Sequence, residues 1–429
     1  MLFVPLGGCR ERGRNCFLIT WDSHQLLLDC GVSPSYAKET PNAYPHLERI
    51  SIDKLDAIIL SHAHEDHLGM IPKLYEMGYE GEVYATKPTA QIMKNTCKQW
   101  LSALADASAP KLYTEDSVDL LLPCGLDYEE ENSITPGTSF FLSPSGHMLG
   151  SAIVNLQLAG TSFLYTSDYY YGSHVLPDPR SGLSGDVVLC DAYYGSFNYT
   201  KTQEDNEFFR TVNSCLNNGG KVFLPLPFLG RSQEVVFMIL QNLGKFKAKI
   251  IIEEQLRESW NLCMNYRNSL RDEFNNAKSF LRDISKLEIV RTDRARDQII
   301  TSEGSAVILS LDSPRLNKYY TQRLKSDARN LLLFSGYQPP GSIGRTLKPR
   351  SGEDSPEALE QSAAVEHIEL RTHPDILDTL RLFRSMKHKP TSVYTFHGEG
   401  SKCMEMATSI ENELGIPSRS PTNLDEIRF

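Results

Sequence analysis

Four side chains of the metal-ligand type crowd into six positions of the string SHAHEDHLGM: His62, His64, Asp66 and His67. The apolar run LDAIILS precedes them and an apolar helical run follows. The cluster is therefore expected on a strand-to-helix loop, where imidazoles can converge free of the fixed spacing of a regular element. Imidazole nitrogen and carboxylate oxygen bind borderline cations such as zinc at about 2.0–2.2 Å. Clustered imidazoles repel one another unless a cation lies between them, so a metal site is the reading that satisfies all four. The fold must then supply a strand end that offers such a loop.

Composition narrows the class. The chain has 429 residues, 44 Lys and Arg against 54 Asp and Glu, 40% apolar and 23% charged residues, and a net charge of −10. That is a globular composition with enough chain for two or three structural units. Its longest apolar runs, AIIL at 57–60 and LLLF at 331–334, fall far short of the ~20 residues that span a bilayer, which excludes a membrane protein. No basic segment precedes the apolar start MLFVPLGG, so neither a signal nor a transit peptide is read, and a cytoplasmic location is expected. Nine cysteines without a CxxC pair are expected to be reduced and mostly buried. The acidic balance argues against a whole-surface grip on nucleic acid while leaving room for a local basic groove.

Strand-like runs dominate the first half: NCFLITW, HQLLLDC, DAIILSH, EVYAT, TSFFLSP, SAIVNLQL, TSFLYTSD and DVVLCDA. They read as two stacked sheets, with helical patterns at 68–77 and 88–105. After residue 196 the texture becomes a strand and helix alternation, the pattern of a doubly wound α/β unit. From about 365, HIELRT, ILDTLRLFRSM and SVYTFHG return to strand, helix, strand. An α/β chain is expected in which one domain interrupts another: 1–195 and 346–429 form the host and 196–345 the insertion.

The HxHxDH motif resembles the hallmark of the metallo-β-lactamase superfamily, whose fold is an αββα sandwich. Asp29, closing HQLLLDC, is similar to the family's first-motif aspartate, which orients a ligand or backbone from behind. His147 in SPSGHMLGSA resembles the third-motif histidine, and Asp168 in LYTSDYY the bridging aspartate. The resemblance implies two zinc ions, one held by His62, His64 and His147, the other by Asp66, His67 and His397, with Asp168 between them. Such a pair lowers the pKa of a shared water and clamps the oxygens of a phosphodiester.

The later motifs resemble the β-CASP branch, the nucleic-acid-processing group that includes RNase J and the cleavage-and-polyadenylation endonuclease. Asp191 in VLCDAYYGS stands at motif A, His373 in LRTHPD at motif B and His397 in VYTFHGEG at motif C. LPLPFLGRSQEV and SGYQPPGSIGRTL resemble two further strings of the branch. By this resemblance Asp66, Asp191 and His373 are catalytic, and Asp191 fixes the His373 tautomer. The flank Arg-Thr-His-Pro-Asp and the acid Asp191 are not the commonest forms of their motifs. Gly230, Arg231 and Ser232, between a strand and a helix, read as a phosphate seat or as a plain βα turn with a solvated arginine. Gly341 and Gly344 bring backbone close to a ligand or mark an ordinary turn. Tyr169, Tyr170 and Tyr171 either stack on bases or pack between domains. His24, His46, His367 and His388 are read as surface groups, and His174 stays unassigned.

The chain ends about thirty residues after His397, which reads as a minimal catalytic core. The expected function is a zinc-dependent ribonuclease that cleaves single-stranded RNA with a bridging hydroxide and leaves a 5′-phosphate. DNA or a small ester as substrate, or a non-catalytic RNA-processing partner, are the alternatives, and an oligomer is left open.

Overall fold

The computed structural model describes residues 1–35, 43–198, 200–276, 284–348 and 362–429. The stretch 349–361, at the start of the expected closing part, lies outside them. The first sheet places β1 (Leu2–Gly7), β2 (Cys16–Trp21), β3 (His24–Leu28), β4 (Leu55–Ile59), β5 (Val83–Thr86) and β6 (Pro123–Leu126) side by side in chain order. β1 to β3 form an antiparallel meander, and β3 to β6 run parallel. The second sheet is built from β7 (Asn132–Thr135), β8 (Thr138–Pro144), β9 (Ala152–Leu158), β10 (Thr161–Tyr165) and β11 (Val187–Asp191).

The chain then leaves to make a third, all-parallel sheet. Its strands are β12 (Lys221–Leu226), β13 (Lys249–Glu253), β14 (Glu288–Val290), β15 (Ala306–Leu311), β16 (Leu331–Ser335) and β17 (Ala364–Ile368), in the order β14-β13-β15-β12-β16-β17. It returns as β18 (Ser392–Phe396), which pairs in parallel with β11 from Val187↔Ser392 to Asp191↔Phe396. β19 (Ser418–Arg419) flanks β18, and β20 (Ile427–Arg428) closes onto β1.

Apolar alternation on the strands decides the layering. Phe3, Phe17, Leu28, Ile59, Leu142, Val154, Tyr165, Leu189 and Phe396 fill the space between the first two sheets. Phe17 meets Phe396 edge-on at 5.1 Å and Tyr165 at 5.4 Å, an arrangement that adds about 0.5–1.5 kcal/mol per pair beyond area burial. The outer face of the first sheet is covered by the helix Lys87–Asp106 through Met93, Cys97, Trp100 and Leu101. That of the second is covered by the helices Ile376–Arg384 and Gly400–Leu414 through Leu382, Phe383, Met406 and Ile410. The result is an αββα sandwich carrying a doubly wound α/β insert. Among the described residues no helix is long and apolar enough to cross a membrane.

One strand sits elsewhere than its sequence suggests. HIELRT reads as the opening of the closing part, but β17 pairs with β16 from Leu331↔Ala364 to Ser335↔Ile368. The third sheet thus extends past residue 345. The alternating, half-exposed side chains of β17 are those of an edge strand, and local pattern does not say which sheet such a strand joins.

The loop after β4 is clamped by backbone. Cys30 N–H donates to His67 O at 2.7 Å, Val32 N–H to Glu65 O at 3.1 Å and Asn15 N–H to Asp66 O at 2.9 Å. The approach is so close that a Cβ on Gly31 would lie 1.8 Å from Asp66 O, so only glycine fits. Gly31→Ala is expected to cost at least about 1–3 kcal/mol by overpacking, read as a lowered urea midpoint. A variant with the wild-type midpoint would contradict this clamp.

Candidate metal centre

Apart from His147, the clustered side chains project from the carboxyl ends of strands that have a parallel neighbour, where ligands bind in open α/β sheets. His62 and His64 follow β4. Asp66 and His67 lie on the one-turn helix Glu65–Leu68, and His147 on the loop between β8 and β9. Asp168 lies just beyond β10, Asp191 ends β11, His373 follows β17 and His397 follows β18. Asp29, Ser167 and His397 hold left-handed backbone, with φ of 56°, 49° and 59°. Non-glycine residues in this region are uncommon, and such conformations gather at functional sites.

Three imidazole nitrogens converge. His62 Nε2 lies 3.2 Å from His64 Nδ1, which lies 3.1 Å from His147 Nε2. Asp168 Oδ2 is 3.6 Å from both His62 Nε2 and His147 Nε2, and 3.3 Å from His67 Nε2. On its other side Asp168 Oδ1 meets His397 Nδ1 at 2.8 Å, while His397 Nε2 contacts Asp66 Oδ2 at 3.1 Å. Two donor sets result: His62, His64, His147 and Asp168, and beside it Asp66, His67 and His397. Asp168, Asp191, His373 and His397 make a further close group.

The surroundings fix which nitrogen can ligate. His147 Nδ1 donates to the Thr372 carbonyl at 2.7 Å, and His67 Nδ1 to Asp29 Oδ2 at 2.7 Å. Both partners only accept, so the Nε2 lone pairs are aimed into the cluster. Nitrogen spacings of 3.1–3.2 Å match the roughly 3.3 Å between ligands of a tetrahedral zinc with bonds near 2.0–2.1 Å. Lone pairs this close, together with two carboxylates, suit a pair of divalent cations, and these residues fit that group.

Charge is sorted within the cluster. Burial pushes His62, His147 and His373 below the ordinary histidine range. It acts in the same direction on His67 and His397, but Asp168 and Asp66 outweigh it and carry both up, His397 to about 10. Burial also opposes ionisation of Asp168, yet His397, His67 and His373 hold its pKa well below the usual carboxylate range. Asp191, buried beside Asp168, is pushed up.

The structure brings Asp191 and His373 into the same place: His373 Nδ1 contacts Asp191 Oδ2 at 3.0 Å. Tyr193 lies flat on His373, with rings 4.1 Å apart and 8° from parallel, and its N–H donates to Asp191 Oδ1. Gly230 borders the cluster, where a Cβ would stand 3.8 Å from His64 Nε2. The donors beside it are engaged within the protein. Gly230 N–H bonds Gln233 Oε1, Arg231 Nε the Leu370 carbonyl and Ser232 Oγ the Phe228 carbonyl. Gly341 turns the chain into the short helix Ile343–Leu347, and Gly344 packs against Gln338 and Phe334 within the insert.

Tyr169, Tyr170 and Tyr171 are at most 6% exposed, so none presents a face to a base. Tyr169 bonds Thr379, and the Arg381 guanidinium covers Tyr171 at 4.1 Å. His388 is exposed and His24 and His46 are partly so, while the ring of His367 lies half-buried against Phe334. His174 stacks on Phe237, away from the cluster's donor sets. Sequence reasoning passed over Ser61, Tyr165, Ser167, Thr372 and Tyr193, which orient the cluster. Ser61, Ser167 and Thr372, adjoining His62, Asp168 and His373, carried a signal by position, and Tyr165 and Tyr193 carried none.

Comparison with known proteins identifies the family. The model of the "Metallo-beta-lactamase superfamily" matches residues 9–180, and that of the "Zn-dependent metallo-hydrolase RNA specificity domain" matches 360–421. The chain belongs to the metallo-β-lactamase superfamily, a metallo-hydrolase of its β-CASP branch. It is 30% identical to the transcription termination factor FttA of Methanosarcina mazei, across 99% of this chain and 71% of that one. It is 27% identical to an RNase J-like protein of Methanocaldococcus jannaschii, across 97% and 96% of the two chains. A crystal structure of an Enterococcus faecalis protein of unknown function superposes with a TM-score of 0.62 at 12% identity, across 99% of both chains, and shares the fold.

Asp29→Asn is expected to weaken metal binding about 10–100-fold with the fold retained, measured by competition with a chelating dye. Wild-type affinity would remove Asp29 from this orienting role.

Proposed function

We propose that the protein is a zinc-dependent ribonuclease that hydrolyses phosphodiester bonds of single-stranded RNA. The observation that carries this reading is the pair of adjacent donor sets, with Asp168 of the first 3.3 Å from His67 Nε2 and 2.8 Å from His397 Nδ1 of the second, and Asp191 and His373 alongside. Relatives named as a termination factor and an RNase J-like protein support RNA as the substrate, as does the RNA-specificity match over His373 and His397. Nine free thiols support a reducing, cytoplasmic compartment.

Two zinc ions held there would supply an ionised water as nucleophile and positive charge at the phosphate. The rest falls to the chain. Asp66, His67 and His397 form one pocket, His62, His64 and His147 the other, and Asp168 joins them. His373, held at Nδ1 by Asp191 and at its face by Tyr193, rests as the neutral imidazole that burial favours, takes a proton at Nε2 as the anionic strand binds, and passes that proton to the leaving oxygen. A 5′-phosphate and a 3′-hydroxyl result.

Cleavage assays on variants and on matched substrates test this. His64→Ala and Asp168→Ala are expected to abolish cleavage of labelled single-stranded RNA while the thermal transition survives, and a chelator to do the same to the wild-type chain. Activity kept in either variant contradicts the metal assignment. His373→Ala is expected to slow cleavage about 10²–10⁴-fold at unchanged metal content, separating proton transfer from ligation. Matched DNA cleaved as well as RNA would shift the substrate class, and a 2′,3′-cyclic product would replace the nucleophile with the substrate's own hydroxyl.

A further inference from the structure

Beside the candidate metal centre, on the Tyr193 side, lies a cavity of about 290 Å³ lined by Arg10, Glu11, Arg12, Arg14, Tyr337 and Glu399, among others. Three guanidinium groups face two carboxylates there, in a chain whose net charge is −10. Glu11 is already engaged: both its oxygens accept from Arg14, at 2.7 and 3.1 Å, and Oε1 also accepts from Gly8 N–H and Asn423 Nδ2. Arg10 rests on the Ser420 carbonyl and is exposed.

Arg12 differs from the other arginines around the site. Arg371 is paired with Glu204 and Asp375, and Arg231 is tied to backbone carbonyls. The Arg12 guanidinium is instead sandwiched between two rings, 4.3 Å from the centroid of Tyr193 and 4.9 Å from that of Tyr337. Its Nε is buried with no hydrogen-bond partner, and the carboxylate whose charge acts on it is Glu399, on the wall of the same cavity. Two aromatic faces hold the cation planar and desolvated, which sharpens its attraction for an anion arriving at its edge. The stack continues through Tyr193 to His373, so the cation stands one aromatic layer from the proposed proton donor.

We infer that this cavity, with Arg12 as its fixed cation and Arg10 at its rim, is an anion seat for a backbone phosphate of the substrate strand, a step or two from the scissile bond. A planar guanidinium with an unmet N–H suits a phosphate diester, and a groove one layer from His373 lies where a bound strand must continue. The inference rests on the ribonuclease reading, because it takes the strand to be RNA.

The test is binding of the metal-loaded full chain to a short fluorescent single-stranded RNA, read by rapid mixing before cleavage, over a series of salt concentrations. For a single strand each neutralised phosphate contributes about 0.7 to the slope of log K against log salt. Arg12→Gln is expected to reduce the slope by about that amount and to weaken binding to all sequences alike. Arg10→Gln, on an exposed side chain, is expected to lower it in the same sense and keeps the test decisive if Arg12→Gln loses its thermal transition. Arg210→Gln, on an exposed face of the helix Lys201–Asn217, should leave the slope unchanged. A wild-type chain that binds RNA with the same slope as both cavity variants overturns the seat and leaves the ribonuclease reading standing. A wild-type chain that does not bind RNA at any salt overturns both.

Discussion

One buried carboxylate organises the site. Asp29 is fully enclosed and accepts from Ser61 N–H and Ser61 Oγ at 2.7 Å, from Tyr165 Oη at 2.6 Å and from His67 Nδ1 at 2.7 Å. Ser61 and His67 belong to the loop beyond β4, and Tyr165 to β10 of the opposite sheet. A charge so deep in a sandwich is tolerable only with its acceptor sites met, and here every partner is part of the machinery it positions. The orientation of His67, the start of the HxHxDH loop and the spacing of the two sheets therefore share one group.

A second junction controls the insert's side of the cluster. The segment 371–373 leaves the third sheet and is gripped from two directions. The Arg371 side chain is buried against Glu204 of the helix Lys201–Asn217 and pairs with Asp375 at 2.8 Å. The next carbonyl, that of Thr372, receives the His147 Nδ1 hydrogen from the sandwich. Glu234 adds a third tie, accepting from Ser173 Oγ and from His174 N–H. His373 is thus held by contacts from both units, and its imidazole cannot be placed without the insert in position.

Much of this was legible in the sequence because it is local. HxHxDH announces itself by density, and strands with period-two alternation announce the sheets they build. What stayed hidden is whatever depends on long-range approach. Gly31 reads as an ordinary glycine until the backbone of Asp66 is seen against it. Arg12 lies in a short basic string, and only folding brings Tyr193 and Tyr337 to its two faces. The run of three tyrosines left stacking on bases and packing between domains both open because aromatic side chains suit bases and cores equally, and burial, which decides between them, is not written locally. β17 went to the third sheet for the same reason, since an edge strand carries no mark of its neighbour. The motif residues Gly230 and Arg231 were visible, but not that carbonyls of the insert already occupied the guanidinium.

The donor sets also bear on how the molecule coheres. His62 and His64 stem from the first sheet, His147 and Asp168 from the second, and His397 arrives from a strand more than three hundred residues along the chain. All nine cysteines are free thiols, so no covalent staple joins these layers. Any ion shared by those imidazoles becomes a rivet through both leaves of the sandwich. Occupancy and cohesion are then a single equilibrium, and scarcity of metal registers in the protein as a loosening of its frame.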